Sequence, residues 1–332
     1  MHSSRTSSSR PLSLLVLGGT RFLGRALVES ALADGHRVTL FNRGLTAPGL
    51  FPDAETVLGD RTESLAALDG RRWDAVVDVA GYHPEVVARS AEALHGRVGR
   101  YVFVSSLSVL ADQRTPQCET GTVLELRDGQ PPHELYGARK AACERLVLSA
   151  FSPAATVIRP GMIVGPHDPT DRFAYWPRRF ARGGRVLLPG DPADFAQFID
   201  VRDVARWILT CIRSGLDGVF HTTGLPQPFG EFFEACRTVT ASTATPVWAP
   251  TPALLAAGAD PWMGVPMWIA DPDCTAINQV DTTRARAAGL QLRPLPETLT
   301  DTLAWDTARG LPTPEGLTPA EEQRLLATLI PA

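Results

Sequence analysis

The sequence lacks any hydrophobic run long enough to cross a membrane. No apolar stretch in its 332 residues approaches the roughly 18 that a spanning helix needs. It lacks paired cysteines. Cys118, Cys143, Cys211, Cys236 and Cys274 follow no disulfide or metal spacing, and read as reduced, mostly buried thiols of a cytoplasmic protein. No Cys/His pattern suggests a metal site. It lacks a basic excess, with a net charge of −4, which disfavours nucleic acid as the main partner. It lacks the low hydrophobicity of a disordered chain, being 44% hydrophobic and 20% charged. It also lacks a secretory h-region, because the apolar stretch 12–17 is short and runs into glycines. The Ser-rich start, up to residue 11, reads as a flexible tail.

What remains is an ordinary globular composition with length for about two domains. Residues 12–17 form a continuous apolar run, as a strand buried on both faces should. Phe22, Leu23, Ala26, Leu27 and Ala31 then recur at helical spacing, and Gly35 sits where that helix would stop. Further strands are expected at 37–41, 57–58, 74–80, 100–106 and 155–160, with helices at 84–95 and about 134–149. Alternating strands and helices imply βαβ units and a parallel sheet. The expected fold class is α/β, a Rossmann-type doubly wound parallel sheet with a smaller, irregular C-terminal substrate domain. Residues 12–165 and 198–225 would form the dinucleotide-binding part, and 166–197 with 226–332 the substrate region. Strand-plus-helix returns at 198–209, and 219–224 reads as another short strand. The segment Trp262 to Trp268 either lines an apolar substrate pocket or belongs to a core.

Gly18-Gly19-Thr20-Arg21-Phe22-Leu23-Gly24 joins the first strand to the first helix. Backbone amides at a helix N-terminus cradle a pyrophosphate, and glycine lets the chain approach closely. Arg21 stands where G-x-x-G-x-x-G would put a glycine. The second strand ends in Asn42-Arg43, without the carboxylate that receives an NAD ribose. A guanidinium there suits a 2′-phosphate, so NADP is preferred over NAD. Asp60-Arg61 follow the third strand on the adenine side, and Ala80-Gly81 close the fourth with room for adenosine.

Tyr136 and Lys140 lie four apart on one face of a helix. A phenol is a poor acid–base catalyst at neutral pH, and a nearby ammonium would bring its pKa toward the working range. Lys140 could also hydrogen-bond the nicotinamide ribose. Ser106, ending the fifth strand, could hold a substrate oxygen against Tyr136.

Taken in order, the glycine turn, Ser105-Ser106-Leu107-Ser108-Val109, Tyr136-Gly137-Ala138-Arg139-Lys140, RPGMIVGP (159–166) and FIDVRDVA (198–205) resemble the short-chain dehydrogenase/reductase superfamily. The likeness is to its extended, epimerase/dehydratase-like branch. That resemblance implies a nicotinamide cofactor, catalytic Ser106, Tyr136 and Lys140, and Pro160 and Ile163 bordering the nicotinamide. The GGTRF turn and FNRG strand end are similar to an atypical subgroup that includes chloroplast stem-loop-binding proteins, so an RNA-binding role stays open.

The chain departs from the branch in three places. Leu107-Ser108 replace the Asp-Glu that sugar-nucleotide dehydratases use to eliminate water. Met162-Ile163 and Ala196 replace an asparagine and an arginine of the sugar-nucleotide members. The expected activity is therefore hydride transfer between nicotinamide and a hydroxyl or ketone carbon of a small molecule. Sugar-nucleotide epimerisation is the alternative. Tyr82, His83, Ser108, His167 and Arg172 are substrate candidates, with Asp168 and Asp171 beside them. Arg178, Arg179 and Arg202 are further candidate anion ligands. No membrane partner is expected, and a homodimer is admitted.

Overall fold

The computed structural model describes residues 10–310 and 316–329. Most of the expected N-terminal tail, residues 1–9, lies outside these; Arg10 forms an ion pair with Asp74.

Seven strands make one sheet: β1 (Ser13–Leu17), β2 (Arg37–Asn42), β3 (Glu55–Leu58), β4 (Ala75–Asp78), β5 (Tyr101–Val104), β6 (Ala155–Pro160) and the strand Gly218–Thr222. Their spatial order runs from β3 through β2, β1, β4, β5 and β6 to Gly218–Thr222, and every pairing is parallel. This is the doubly wound order, which reverses between β1 and β4 and opens a crevice at the carboxyl ends of those strands.

The apolar run of β1 is explained by helices on both faces. Leu14 and Val16 pack with α1 (Phe22–Ala33) and the helix Val201–Arg213 in one core. Leu15 and Leu17 face the other way, onto α2 (Pro84–Leu94) and α3 (Pro132–Phe151). β4, β5 and β6 are buried along their whole length for the same reason.

Beyond β6 the strand does not simply close at Pro160. A Cβ on Gly161 would meet the Thr223 side chain at 2.6 Å, so only glycine passes there. The chain then forms the short strand Met162–Val164, paired in parallel with Phe198–Asp200. A separate core gathers Trp176, Phe180, Phe232, Phe233 and Trp268 around the parallel pair Arg185–Pro189 and Thr245–Ala249. Met267 and Trp268 are core residues, while Trp262 is half-buried beneath Arg172. Cys143, Cys211 and Cys236 are buried as expected, but Cys118 is exposed.

Candidate functional site

A cleft of about 720 Å³ opens at the switch point. Its floor is the glycine turn. Gly18 and Gly19 have φ of 111° and 106°, and the Gly18 amide donates to the Phe41 carbonyl at 3.0 Å, tying the turn to β2. A Cβ on Gly24 would lie 2.8 Å from Gly19 Cα, so this glycine lets α1 sit on the turn. Arg21 occupies extended backbone (φ −129°), which any residue adopts, so no glycine is needed there. Arg21, at the N-cap, makes no capping side-chain bond, and none of the described residues caps α1. The first-turn amides are therefore left for a ligand, as a dinucleotide pyrophosphate requires.

The adenosine side combines several segments. Asn42 Oδ1 accepts from the Gly44 amide at 2.8 Å, which shapes the strand end. Arg43 is exposed on the lip and makes no hydrogen bond or ion pair among the described residues. Asp60 accepts from the Thr62 amide and hydroxyl at 2.8 and 2.7 Å, and those bonds lower its pKa. Arg61 lines the cleft, yet its two terminal nitrogens donate to the Asp78 carboxylate at 2.6 and 2.7 Å. It is thus an anchored wall residue. Ala80 faces the cleft; Gly81 is buried behind it, and its carbonyl accepts from Lys140.

At the opposite end Ser105, Ser106, Tyr136, Lys140, Pro160, Gly161 and Ile163 converge, with Tyr82 and His83 across from them. Ser106 ends the segment after β5 and caps the following turn, its Oγ accepting from the Ser108 amide at 3.1 Å and donating to Ser108 Oγ at 3.0 Å. Its hydroxyl also acts on the Tyr136 phenol, holding its pKa down against the burial that raises it.

α3 presents Tyr136 and Lys140 one turn apart. Lys140 is 2% exposed, and its Nζ donates to the carbonyls of Gly81 (2.9 Å) and Val104 (2.6 Å). Burial brings its pKa down to about 8, against the opposing pull of Asp78. Tyr136 is exposed as a residue, but burial of its phenol raises the pKa. The Lys140 ammonium, docked into the Gly81 and Val104 carbonyls, is not among the groups that shift the phenol.

Several sequence candidates are not among the residues lining the cleft. His167 packs edge-on against Trp305, 5.3 Å between centroids, with Arg25 3.5 Å from its Nδ1. Arg172 stacks on Trp262, and Ser108 lies beneath Ser106. Asp168 accepts from Thr170, and Asp171 pairs with Arg309 at 2.6 Å. Arg178 pairs with Asp306, Arg179 with Glu322, and Arg202 with Asp200 and Asp301. Sequence reasoning missed Asp78. Its signal was an acidic residue in an apolar strand, since a buried carboxylate requires a partner.

The family model of the NAD dependent epimerase/dehydratase family matches residues 14–220, and the chain belongs to that family. It is similar to the chloroplast stem-loop binding protein of 41 kDa b of Arabidopsis thaliana, 28% identical over 225 residues, 62% of this chain and 56% of that protein. It is similar to the 2-alkyl-3-oxoalkanoate reductase of Stenotrophomonas maltophilia, 30% identical over 200 residues, 54% of this chain and 59% of that one. The chain thus matches little more than half the length of these curated relatives. The structure of UDP-glucuronic acid 4-epimerase from Bacillus cereus in complex with NAD has the same fold. Its TM-score is 0.66 at 15% identity, covering 90% of this chain and 99% of that one.

Proposed function

We propose that this member of the family is an NADP-dependent oxidoreductase acting on a hydroxyl or ketone carbon of a small molecule without a nucleotide handle. The observation that carries the reading is the convergence of Ser106, Tyr136 and Lys140 at one end of a cleft floored by an uncapped, glycine-cornered helix start. The residues present fit a dinucleotide: Gly18, Gly19 and Gly24 leave backbone room, and Arg43 offers a guanidinium to a 2′-phosphate. Bound there, the nicotinamide supplies or accepts a hydride. Ser106 orients the substrate oxygen. Tyr136, with its raised pKa, holds its proton at neutral pH and so suits donation to a carbonyl oxygen. Lys140 closes the inner wall.

The missing nucleotide handle is supported by the arginines. Arg178, Arg179 and Arg202 are engaged in internal ion pairs. Ala196, where the sugar-nucleotide members carry arginine, is buried. The name of the oxoalkanoate reductase points to the same substrate class. Epimerisation with retained NAD is the second reading, favoured by the fold shared with the UDP-glucuronic acid epimerase. Among the described residues no helix is long and apolar enough to cross a membrane. We infer a cytoplasmic location from cysteines without paired spacing.

Net turnover of NADPH with a panel of 3-oxo acids and simple ketones separates the readings. The oxidoreductase consumes NADPH in step with product, and Tyr136→Phe lowers turnover about 10²-fold or more while cofactor affinity stays within a few-fold. Conversion of a sugar nucleotide with no net loss of cofactor selects the epimerase. Turnover of Tyr136→Phe within threefold of the parent removes Tyr136 from the chemistry.

A further inference from the structure

Asp78, the last residue of β4, is wholly buried and carries more partners than a strand residue needs. Its carboxylate accepts both terminal nitrogens of Arg61, the Tyr101 hydroxyl at 2.9 Å and the Ala80 amide at 3.1 Å. Arg61 also donates to Ser90 Oγ at 2.8 Å. These contacts join two segments that line the same cleft: the loop after β3, with Gly59, Asp60, Arg61 and Thr62, and the end of β4, with Val79 and Ala80. The carboxylate also lies against Gly81, where a Cβ would stand 3.1 Å from Asp78 Oδ2 and 2.5 Å from the Phe103 ring. Gly81 is the residue whose carbonyl seats Lys140, and the Lys140 ammonium lies 4.8 Å from the centre of that same Phe103 ring.

We propose that Asp78 and Arg61 form a buried positioning pair that fixes the turn 79–81 and, through Gly81, the seat of Lys140, tying the adenosine wall of the cleft to its catalytic end. Neither residue touches the reacting atoms. The pair acts by geometry and by charge, since Asp78 favours the ammonium form of Lys140 and Arg61 opposes it. The other groups facing Lys140 are Tyr82, Cys143 and Glu144, the last neutralised by Arg159. Tyr101 faces Asp78 rather than the lysine. The inference rests on Lys140 being a working residue, and its test is chosen so that the two fail separately.

Lys140 is the only lysine in the sequence. Labelling lysine with ¹³C at Cε therefore gives one side-chain signal, whose titration reports this seat directly in the unliganded chain. The parent signal should titrate near pH 8. In Asp78→Asn the midpoint should fall by about one pH unit or more, the low end of what one adjacent charge produces. In Arg61→Gln it should rise. The double variant Asp78→Asn/Arg61→Gln, which keeps hydrogen-bonding groups but buries no lone charge, guards against a single variant that does not fold; it should return toward the parent value. A folded Asp78→Asn chain with a parental midpoint, or two single variants that shift in the same direction, overturns the pair. An active Lys140→Met overturns instead the catalytic reading of the lysine, whatever the titrations show.

Discussion

Arg43 stands at the lip of the cleft with no hydrogen bond or ion pair among the described residues, at the strand end where an NAD site would carry an acid. Calorimetry at fixed salt should therefore find NADPH bound about tenfold or more tighter than NADH, roughly 1.4 kcal/mol. Arg43→Ala should erase most of that difference and leave NADH nearly unchanged; tighter binding of NADH by the parent chain contradicts the reading. His221 lies within the sheet, in the edge strand Gly218–Thr222. His221 is fully buried, its Nδ1 faces the Asp281 carbonyl at 3.2 Å, and burial, with Arg159 adding to it, brings its pKa down to about 4 from 6.5. Between those values the unfolded chain binds the proton that the folded chain refuses. Its contribution is thus complete above pH 6.5 and is lost as pH falls toward 4, by on the order of 3 kcal/mol at most. His221→Asn keeps a polar atom for Asp281 and removes the titration. Denaturant unfolding at pH 7 and pH 5 should show a smaller loss in the variant than in the parent, and equal losses remove His221 from the pH dependence.

At the scale of elements, the junction of the glycine turn with α1 makes the sharpest demand. A Cβ on Gly24 meets Gly19 Cα at 2.8 Å and Gly19 N at 2.9 Å, backbone atoms with nowhere to go. Gly24→Ala should destabilise by about 1–3 kcal/mol, as overpacking does, and weaken dinucleotide binding at least tenfold. Gly35→Ala is the control. Its φ is 76° but nothing lies within 4 Å, so it should cost about 1 kcal/mol through its backbone alone and leave binding intact. Parental cofactor affinity in Gly24→Ala contradicts this account of the turn. These elements were legible because their signals are local. The expected strand 155–160 is β6 to the residue, and 12–17 differs from β1 by one. α3 begins two residues before the expected 134 because Pro131 and Pro132 suit a helix start. The strand Met162–Val164 was not legible, since three residues after a proline carry no periodicity and its partner lies some 36 residues on.

The whole molecule explains how three candidate anion ligands come to be paired internally. Arg178, Arg179 and Arg202 sit near a ligand-binding crevice in the chain, and nothing local says that Asp306, Glu322 and Asp301 return to meet them from beyond residue 300. Arg179 shows the extent of this closure: its guanidinium reaches Glu322 and the carbonyls of Gly183 and Arg185, fixing the helix Pro319–Leu329 to the second core. Asp78 was missed for the same reason, because the Arg61 that neutralises it comes from another βα unit. The convergence of Ser106, Tyr136 and Lys140 was legible, as they fall at strand and helix positions that the topology brings to one crevice. With Arg178, Arg179 and Arg202 paired internally, the proposed reading expects a dinucleotide to bind and a free nucleoside diphosphate not to. Thermal unfolding with each ligand at millimolar concentration tests this most directly. NADP should raise the melting temperature clearly by mass action, while UDP, dTDP and GDP leave it unchanged. A rise of several degrees with one of those nucleotides, or none with NADP, would contradict the account.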